Sequence, residues 1–284
     1  MTRVCVPAEI SAQVQRALAV VERRLVPTLI AVHLYGSALD GGLKPFSDID
    51  LLVTVAARLD DALRQALMTE LLDVSAPPGQ SGALRALEIT IVVRDDVVPW
   101  HYPARRELQF GEWLREDIAA GRFEPALVDP DLAILLTKAR QSSIALFGPP
   151  AQRVFDAVPE YDFYRVLSDT LNLWNSPADW EGEERNIALT LARIWYSAAT
   201  GAIAPKAIAA DWAMARLPPA HSAVLLEAQH AYLGHGQDRM ALRGAAMAAF
   251  VDHIKKEIGA ALEERGHGMG IKRGNDDAPG AIEK

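Results

Sequence analysis

Two carboxylates on one face of an apolar strand are hard to bury, and the stretch "HLYGSALDGGLKPFSDIDLLV" (33–53) demands that they be accommodated. A strand-like run stops at Gly36-Ser37, passes through a glycine-rich loop, and resumes with Asp48 and Asp50 at its start. Side chains at i and i+2 of a strand point the same way, so the two acids stand within several Å of each other. Like charges that close, partly desolvated, raise each other's pKa and cost stability. A divalent cation reverses that interaction, and a pair of carboxylates suits Mg²⁺, which fills the rest of its shell with water and substrate phosphates.

The neighbours strengthen this reading over that of an exposed strand end. Gly36-Ser37 follows directly on the strand "LIAVHLY" (29–35). Glycine lets backbone approach a phosphate closely, and free N–H groups with a serine hydroxyl can hold the anion. The later run "LEITIVV" (87–93) is a strand rich in β-branched residues, with Glu88, Thr90 and Val92 on one face and Leu87, Ile89, Ile91 and Val93 on the other. A lone buried glutamate is costly. If this strand lies beside "IDLLVTV" (49–55), Glu88 stands near Asp48 and Asp50 as a third metal ligand or a general base.

Around these strands the pattern is α/β. Ile10, Val14, Leu18, Val21 and Leu25 recur at helical spacing after Pro7, and residues 59–75 return to that period. Residues 107–121 and 129–143 are predicted as helices and 144–150 as a short strand before a Gly-Pro-Pro break. Beyond it every periodic segment is helical. The expectation is an α/β plus all-α protein: residues 1–157 with a small mixed sheet and flanking helices, a helical bundle over 158–264, and a flexible tail over 265–284.

A formal charge of -8 speaks against broad nucleic-acid binding, which wants a basic face. No apolar run approaches the ~20 residues needed to span a bilayer, and the N-terminal stretch lacks a signal-peptide core. Cytoplasmic residence is the default expectation, and the chain is expected to be a monomer. The single cysteine, Cys5, allows no intrachain disulfide, and the histidines at 33, 101, 221, 230, 235, 253 and 267 show no metal-ligand spacing.

Gly36-Ser37, Asp48-x-Asp50 and one acid on a following strand are similar to the signature of polymerase-β-like nucleotidyltransferases. With "RALEITIVV", "QFGEWLRED", "LTLARIWYSAATG" and "AYLG", the chain resembles the aminoglycoside 3''/9 adenylyltransferases, the streptomycin and spectinomycin resistance enzymes, over residues 5 to 262. The resemblance implies an N-terminal nucleotidyltransferase domain and transfer of AMP from ATP to a hydroxyl of streptomycin or spectinomycin. It implies Mg²⁺ on Asp48 and Asp50 with Glu88, the last also the base. It implies ATP contacts at Ser37, Ser47, Asp131, Arg193, Lys206 and Tyr232, and drug contacts at Trp113, Asp179 and the stretch "EGEERN", hence Glu183 and Asn186. Where the family usually carries an aspartate this chain has Glu183, which bears on drug preference.

Independently, Glu183, Asn186, Thr190 and Arg193 fall at i, i+3, i+7 and i+10 of a helix that is apolar elsewhere. Such a stripe is either a solvated face or the lining of a cleft. Two competing readings keep the fold: AMP transfer to a protein acceptor, and a nucleotide-binding protein without turnover.

Overall fold

The computed structural model of the protein describes residues 5–79 and 84–268. Three strands form where the apolar runs predict them: β1 (Leu29–Tyr35), β2 (Ile49–Val55) and β3 (Leu87–Val93). Helix α1 (Ala8–Leu25) starts after Pro7, whose φ of -55° suits a helix entry. Helix α2 (Asp61–Leu72) is capped by Asp60, whose side chain accepts from the Leu63 N–H at 2.8 Å. Lying between β2 and β3, α2 lets these two strands run parallel, which no tight hairpin could.

The mixed sheet differs from expectation at one edge. Residues 107–121, predicted as one helix, instead give strand β5 (Leu108–Phe110), a 3₁₀ turn at Glu112–Leu114 and a short helix α3 (Arg115–Ala119). The reason is tertiary: β5 pairs antiparallel with β3, placing Phe110 opposite Ile89 and Leu108 opposite Ile91, and both β5 residues are buried. A two-strand ribbon of β4 (Arg105–Arg106) and β6 (Leu127–Val128) precedes helix α4 (Leu132–Gln141). Strand β7 (Ser143–Phe147) completes a five-stranded sheet in the order β5-β3-β2-β1-β7.

One sheet face, with Val32, Leu34, Leu51, Val53, Ile89 and Ile91, packs on Val14, Leu18 and Val21 of α1 and Leu67 and Leu71 of α2. Each such side chain contributes about 1.5–3 kcal/mol of burial. The other face carries Ala31, Tyr35, Leu52 and Val92 against Leu132, Leu136 and Ala139 of α4. After the short α5 (Ala151–Val154) come α6 (Glu160–Thr170), α7 (Glu184–Thr200), α8 (Lys206–Met214), α9 (Pro219–Leu233) and α10 (Gly244–Gly268), built on a separate apolar core. Helix α10 runs past residue 264, held by Arg265, which donates to the Ala199 carbonyl at 2.7 Å. The rest of the expected tail, 269–284, lies outside the described residues. No helix among the described residues is long and apolar enough to cross a membrane.

The edge strand is pinned by an ion pair that is almost fully buried. Arg64 of α2 reaches Glu107 Oε1 at 2.8 Å and the Glu107 carbonyl at 2.6 Å, with Glu107 1% exposed and Arg64 6%. Leu59 N–H and Arg58 complete the carboxylate's partners. Removing one member of a buried pair strands the other charge. Arg64→Leu is expected to lower unfolding free energy by roughly 3 kcal/mol or more, read by urea denaturation. A loss below about 1 kcal/mol would show that Arg58 alone satisfies Glu107.

Candidate active site

The α4-side face of the sheet carries the acids. Asp50 and Leu52 of β2 share it with Glu88, Thr90 and Val92 of β3, because the strand period is two. The parallel register sets Asp50 beside Glu88, and the antiparallel register sets Tyr35 beside Asp50. Gly36, just past β1, has φ +79°, and a Cβ there would lie 1.8 Å from Asp50 Oδ2. The turn is therefore moulded onto the carboxylate, which also accepts the Ser37 backbone N–H. Two residues earlier, Asp48 Oδ1 is buried with no hydrogen-bond partner.

Burial is the main influence on the charges here. It pushes Asp48 up to about 6 and Glu88 up to about 8, with the neighbouring carboxylate charges adding to both. Asp50 is raised for the same first reason, against the pull of Lys138, Lys206 and Arg193. Burial, and then the charge of Arg193, pulls both Lys138 and Lys206 below the ordinary ammonium value. Tyr35 is held well above its usual value by burial and by Asp50 and Glu88. Three basic and three acidic side chains thus crowd one place without neutralising each other in direct ion pairs. An anion and a cation supplied together would relieve both sets.

Two cavities meet there. One, of about 190 Å³, lies between Ser37, Ser47, Asp48 and Asp50 on the sheet side and Arg193, Lys206 and Tyr232 on the helical side. The other, of about 480 Å³, has an apolar wall of Leu135, Phe163, Leu167 and Ile194 and a polar wall that includes Arg106, Gln109, Trp113 and Asp131. Asp50, Glu88, Lys138 and Arg193 belong to both. The larger falls in the roughly 300–1,000 Å³ range of small-molecule sites.

The structure brings together most of the residues singled out in the sequence. Ser47 accepts the Lys44 N–H at 2.9 Å, which closes the glycine-rich loop. Lys206 Nζ lies 5.5 Å from the Tyr232 ring centre. Asp131 stands at the start of α4, its carboxyl raised by burial and by Asp129. Trp113 lines the larger cavity and is 61% exposed. Thr190 and Arg193 line it too, so the polar stripe of α7 does enter a cleft. Its first members do not: exposed Glu183 and half-buried Asn186 hydrogen-bond each other at 2.6 Å at the helix start. Asp179 lies outside both linings as well. Its Oδ2 accepts the backbone N–H groups of Asn175 at 2.8 Å and Ser176 at 2.7 Å, which hold its carboxyl below the usual range.

Sequence reading missed Lys138, Tyr35, Asp40, Arg106 and Gln109. Lys138 had a signal, since it interrupts the apolar face of "LAILLTKARQ". Gln109 had none once its segment was assigned to a helix.

Among the described residues no three His, Cys, Asp or Glu side chains converge as a ready metal cage. The paired aspartates remain a fit for magnesium: both offer hard oxygen donors, one of them unpartnered, and magnesium usually takes only one or two protein carboxylates.

Residues 16–109 match the family model of a nucleotidyltransferase domain, and residues 153–257 match that of the aminoglycoside adenylyltransferase C-terminal domain. An aminoglycoside (3'')(9) adenylyltransferase of Escherichia coli is 62% identical over 256 residues, 90% of this chain and 97% of that protein. The chain belongs to the aminoglycoside (3'')(9) adenylyltransferase family. Within that family a relative from Rhizobium radiobacter is 57% identical over 89% of this chain and 94% of its own length. A spectinomycin 9-adenylyltransferase of Staphylococcus aureus is 38% identical over 88% of this chain and 95% of its own length. A spectinomycin adenyltransferase, AAD(9), from Enterococcus faecialis, solved with ATP and spectinomycin, superposes with a TM-score of 0.79. It is 27% identical, covering 87% of this chain and 98% of that one.

Proposed function

We propose that the protein transfers AMP from ATP to a hydroxyl of streptomycin (3'') and spectinomycin (9), with Mg²⁺ held by Asp48 and Asp50. The observation that carries this is the register pairing of Asp50 with Glu88 on adjacent parallel strands, facing a cavity closed by Arg193 and Lys206. Magnesium, when bound, neutralises charge building on the phosphates.

The residues divide the remaining work. Ser37, at the Gly36 turn, and Ser47 receive phosphate oxygens, and Lys206, Lys138 and Arg193 receive the triphosphate's negative charge. The apolar wall at Leu135, Phe163 and Ile194 suits the adenine, with Asp131 of the same cavity and Tyr232 of the smaller one as further nucleotide contacts. Glu88 Oε accepts the proton of the drug hydroxyl as its oxygen bonds to the α-phosphorus. The bond from that phosphorus to the β-phosphate bridging oxygen breaks, and pyrophosphate leaves. Glu88 is assigned this role ahead of that of third metal ligand. Glu88 lines the larger cavity as well as the smaller, within reach of an acceptor hydroxyl, whereas Asp48 lines only the smaller one.

On the acceptor side, Trp113 offers an exposed ring at the cavity mouth, on which a drug ring can stack. Asp179, Glu183 and Asn186 are assigned to the part of the drug that extends beyond the cavity. Asn186 stands one turn from Thr190, which lines it. The acids among them suit a cationic guest.

Expression in a sensitive bacterium, challenged separately with streptomycin, spectinomycin and kanamycin, tests the reading. Protection against the first two alone is expected. With purified protein, pyrophosphate release should require both Mg²⁺ and either drug. Kanamycin protection, or labelled AMP appearing on extract proteins in place of the drug, would overturn the acceptor assignment.

A further inference from the structure

Glu88 is not free to swing. Gln109 of β5 stands directly opposite Thr90 of β3 in the antiparallel register, so its side chain lies on the face of the acids and diagonal to Glu88. Gln109 Nε2 donates to Glu88 Oε1 at 3.2 Å. Its other end is fixed twice: Thr90 Oγ1 donates to Gln109 Oε1 at 2.9 Å, and Arg106 donates to the same oxygen at 3.3 Å. Arg106 is in turn held by Asp129 at 2.9 Å.

These bonds settle which way the amide points. A guanidinium can only donate, so the atom facing Arg106 must be the amide oxygen, and the NH₂ must face Glu88. The members are tightly enclosed, with Thr90 1% and Gln109 7% exposed. Among the described residues no protein donor reaches Glu88 Oε2, so the bracket takes one carboxylate oxygen and leaves the other for the drug hydroxyl.

We propose that Gln109, clamped by Thr90 and Arg106, is a positioning residue that aims the Glu88 carboxylate at the acceptor hydroxyl. This rests on Glu88 as the base. A buried amide that merely filled space would not need its orientation fixed by two separate donors. Partners of this kind, one bond removed from the reacting group, commonly change activity by about 10–100-fold.

The test is steady-state kinetics with ATP and spectinomycin on Gln109→Met, Thr90→Val and Thr90→Ser, beside Glu88→Gln. Gln109→Met keeps volume and removes the amide. Thr90→Val removes one clamp and Thr90→Ser restores it. The expected result is a kcat lower by roughly 10–100-fold for Gln109→Met, a smaller loss for Thr90→Val, recovery in Thr90→Ser, and KM values for both substrates within about threefold of wild type. A kcat within twofold of wild type in Gln109→Met, or a loss confined to KM, overturns the proposal. If Gln109→Met fails to fold, Thr90→Val with full kcat overturns it instead. An inactive Glu88→Gln beside a fully active Gln109→Met would sink the positioning role alone. An active Glu88→Gln would sink the base assignment and this inference together.

Discussion

Glu88→Gln is expected to bind ATP about as well as wild type and to turn over roughly 10²–10⁴-fold more slowly. The substitution keeps shape and the hydrogen bond to Gln109 as far as an amide can, and removes the only atom pair assigned to take the proton. It should also stabilise the protein in the absence of magnesium. Burial and two neighbouring carboxylates push Glu88 from its usual 4.5 up to about 8, so the folded protein holds this proton more tightly than the unfolded chain. Between those values the folded state binds more protons, and stability falls as pH rises. The group's contribution is complete below about pH 4.5 and lost above about pH 8. In EDTA the melting temperature of wild type should therefore drop on moving from pH 5.5 to pH 8.5, and Glu88→Gln should drop less and melt higher at the upper pH. Turnover within tenfold of wild type would remove Glu88 from the role of base. An unchanged pH dependence of melting would show that its proton is not held as described.

That trade between stability and turnover explains why the site was partly legible in the sequence. The carboxylates stand where a strand pattern alone would forbid them, so Asp48, Asp50 and Glu88 announce themselves as violations of an otherwise consistent apolar alternation. The three strands around them follow the same alternation and fall at 29–35, 49–55 and 87–93 in both sequence and structure, with Asp48 just ahead of the second. The glycine turn was legible for a related reason, a break without a hydrophobic successor.

What stayed hidden depends on pairing between distant segments. Leu108-Gln109-Phe110 is too short to show a strand period, and the helical spacing around it is genuine until β3 offers an unpaired edge. Gln109 and Arg106 acquire their meaning only through that pairing. Lys138 is polar on a helix whose neighbours are buried, and its reason is the anionic face of the sheet across from it. Asp179 and Glu183 read as a cation site from charge alone. Locally the first acts as a turn cap and the second pairs with Asn186, because an acid near free N–H groups satisfies them before any ligand arrives.

Gly36→Ala is expected to cost turnover at least about 10²-fold, a loss that the backbone conformation alone would not cause. A φ of +79° strains any L-residue, but the same is true of Gly42 at +78°, where a Cβ would meet nothing within 4 Å. At Gly36 the new atom would sit 1.8 Å from Asp50 Oδ2 and 2.5 Å from its Cγ. Either the carboxylate turns away from the metal position or the turn lifts off the strand and takes the Ser37 N–H with it. Both movements separate the phosphate turn from the acid that it is moulded against, and a displacement of about 1 Å at a reacting centre is enough for a loss of this size. The pair of variants separates strain from geometry. Gly42→Ala should lose about 1 kcal/mol of stability and keep most of its kcat. Gly36→Ala should lose that much and roughly 1–3 kcal/mol more for the clash, and should also require more Mg²⁺ to reach half-maximal rate. Melting curves with magnesium titrations of the rate on both proteins decide it. Equal kcat values for the two would mean that Asp50 does not depend on the turn, and that the close approach of Gly36 to its carboxylate has no part in the chemistry.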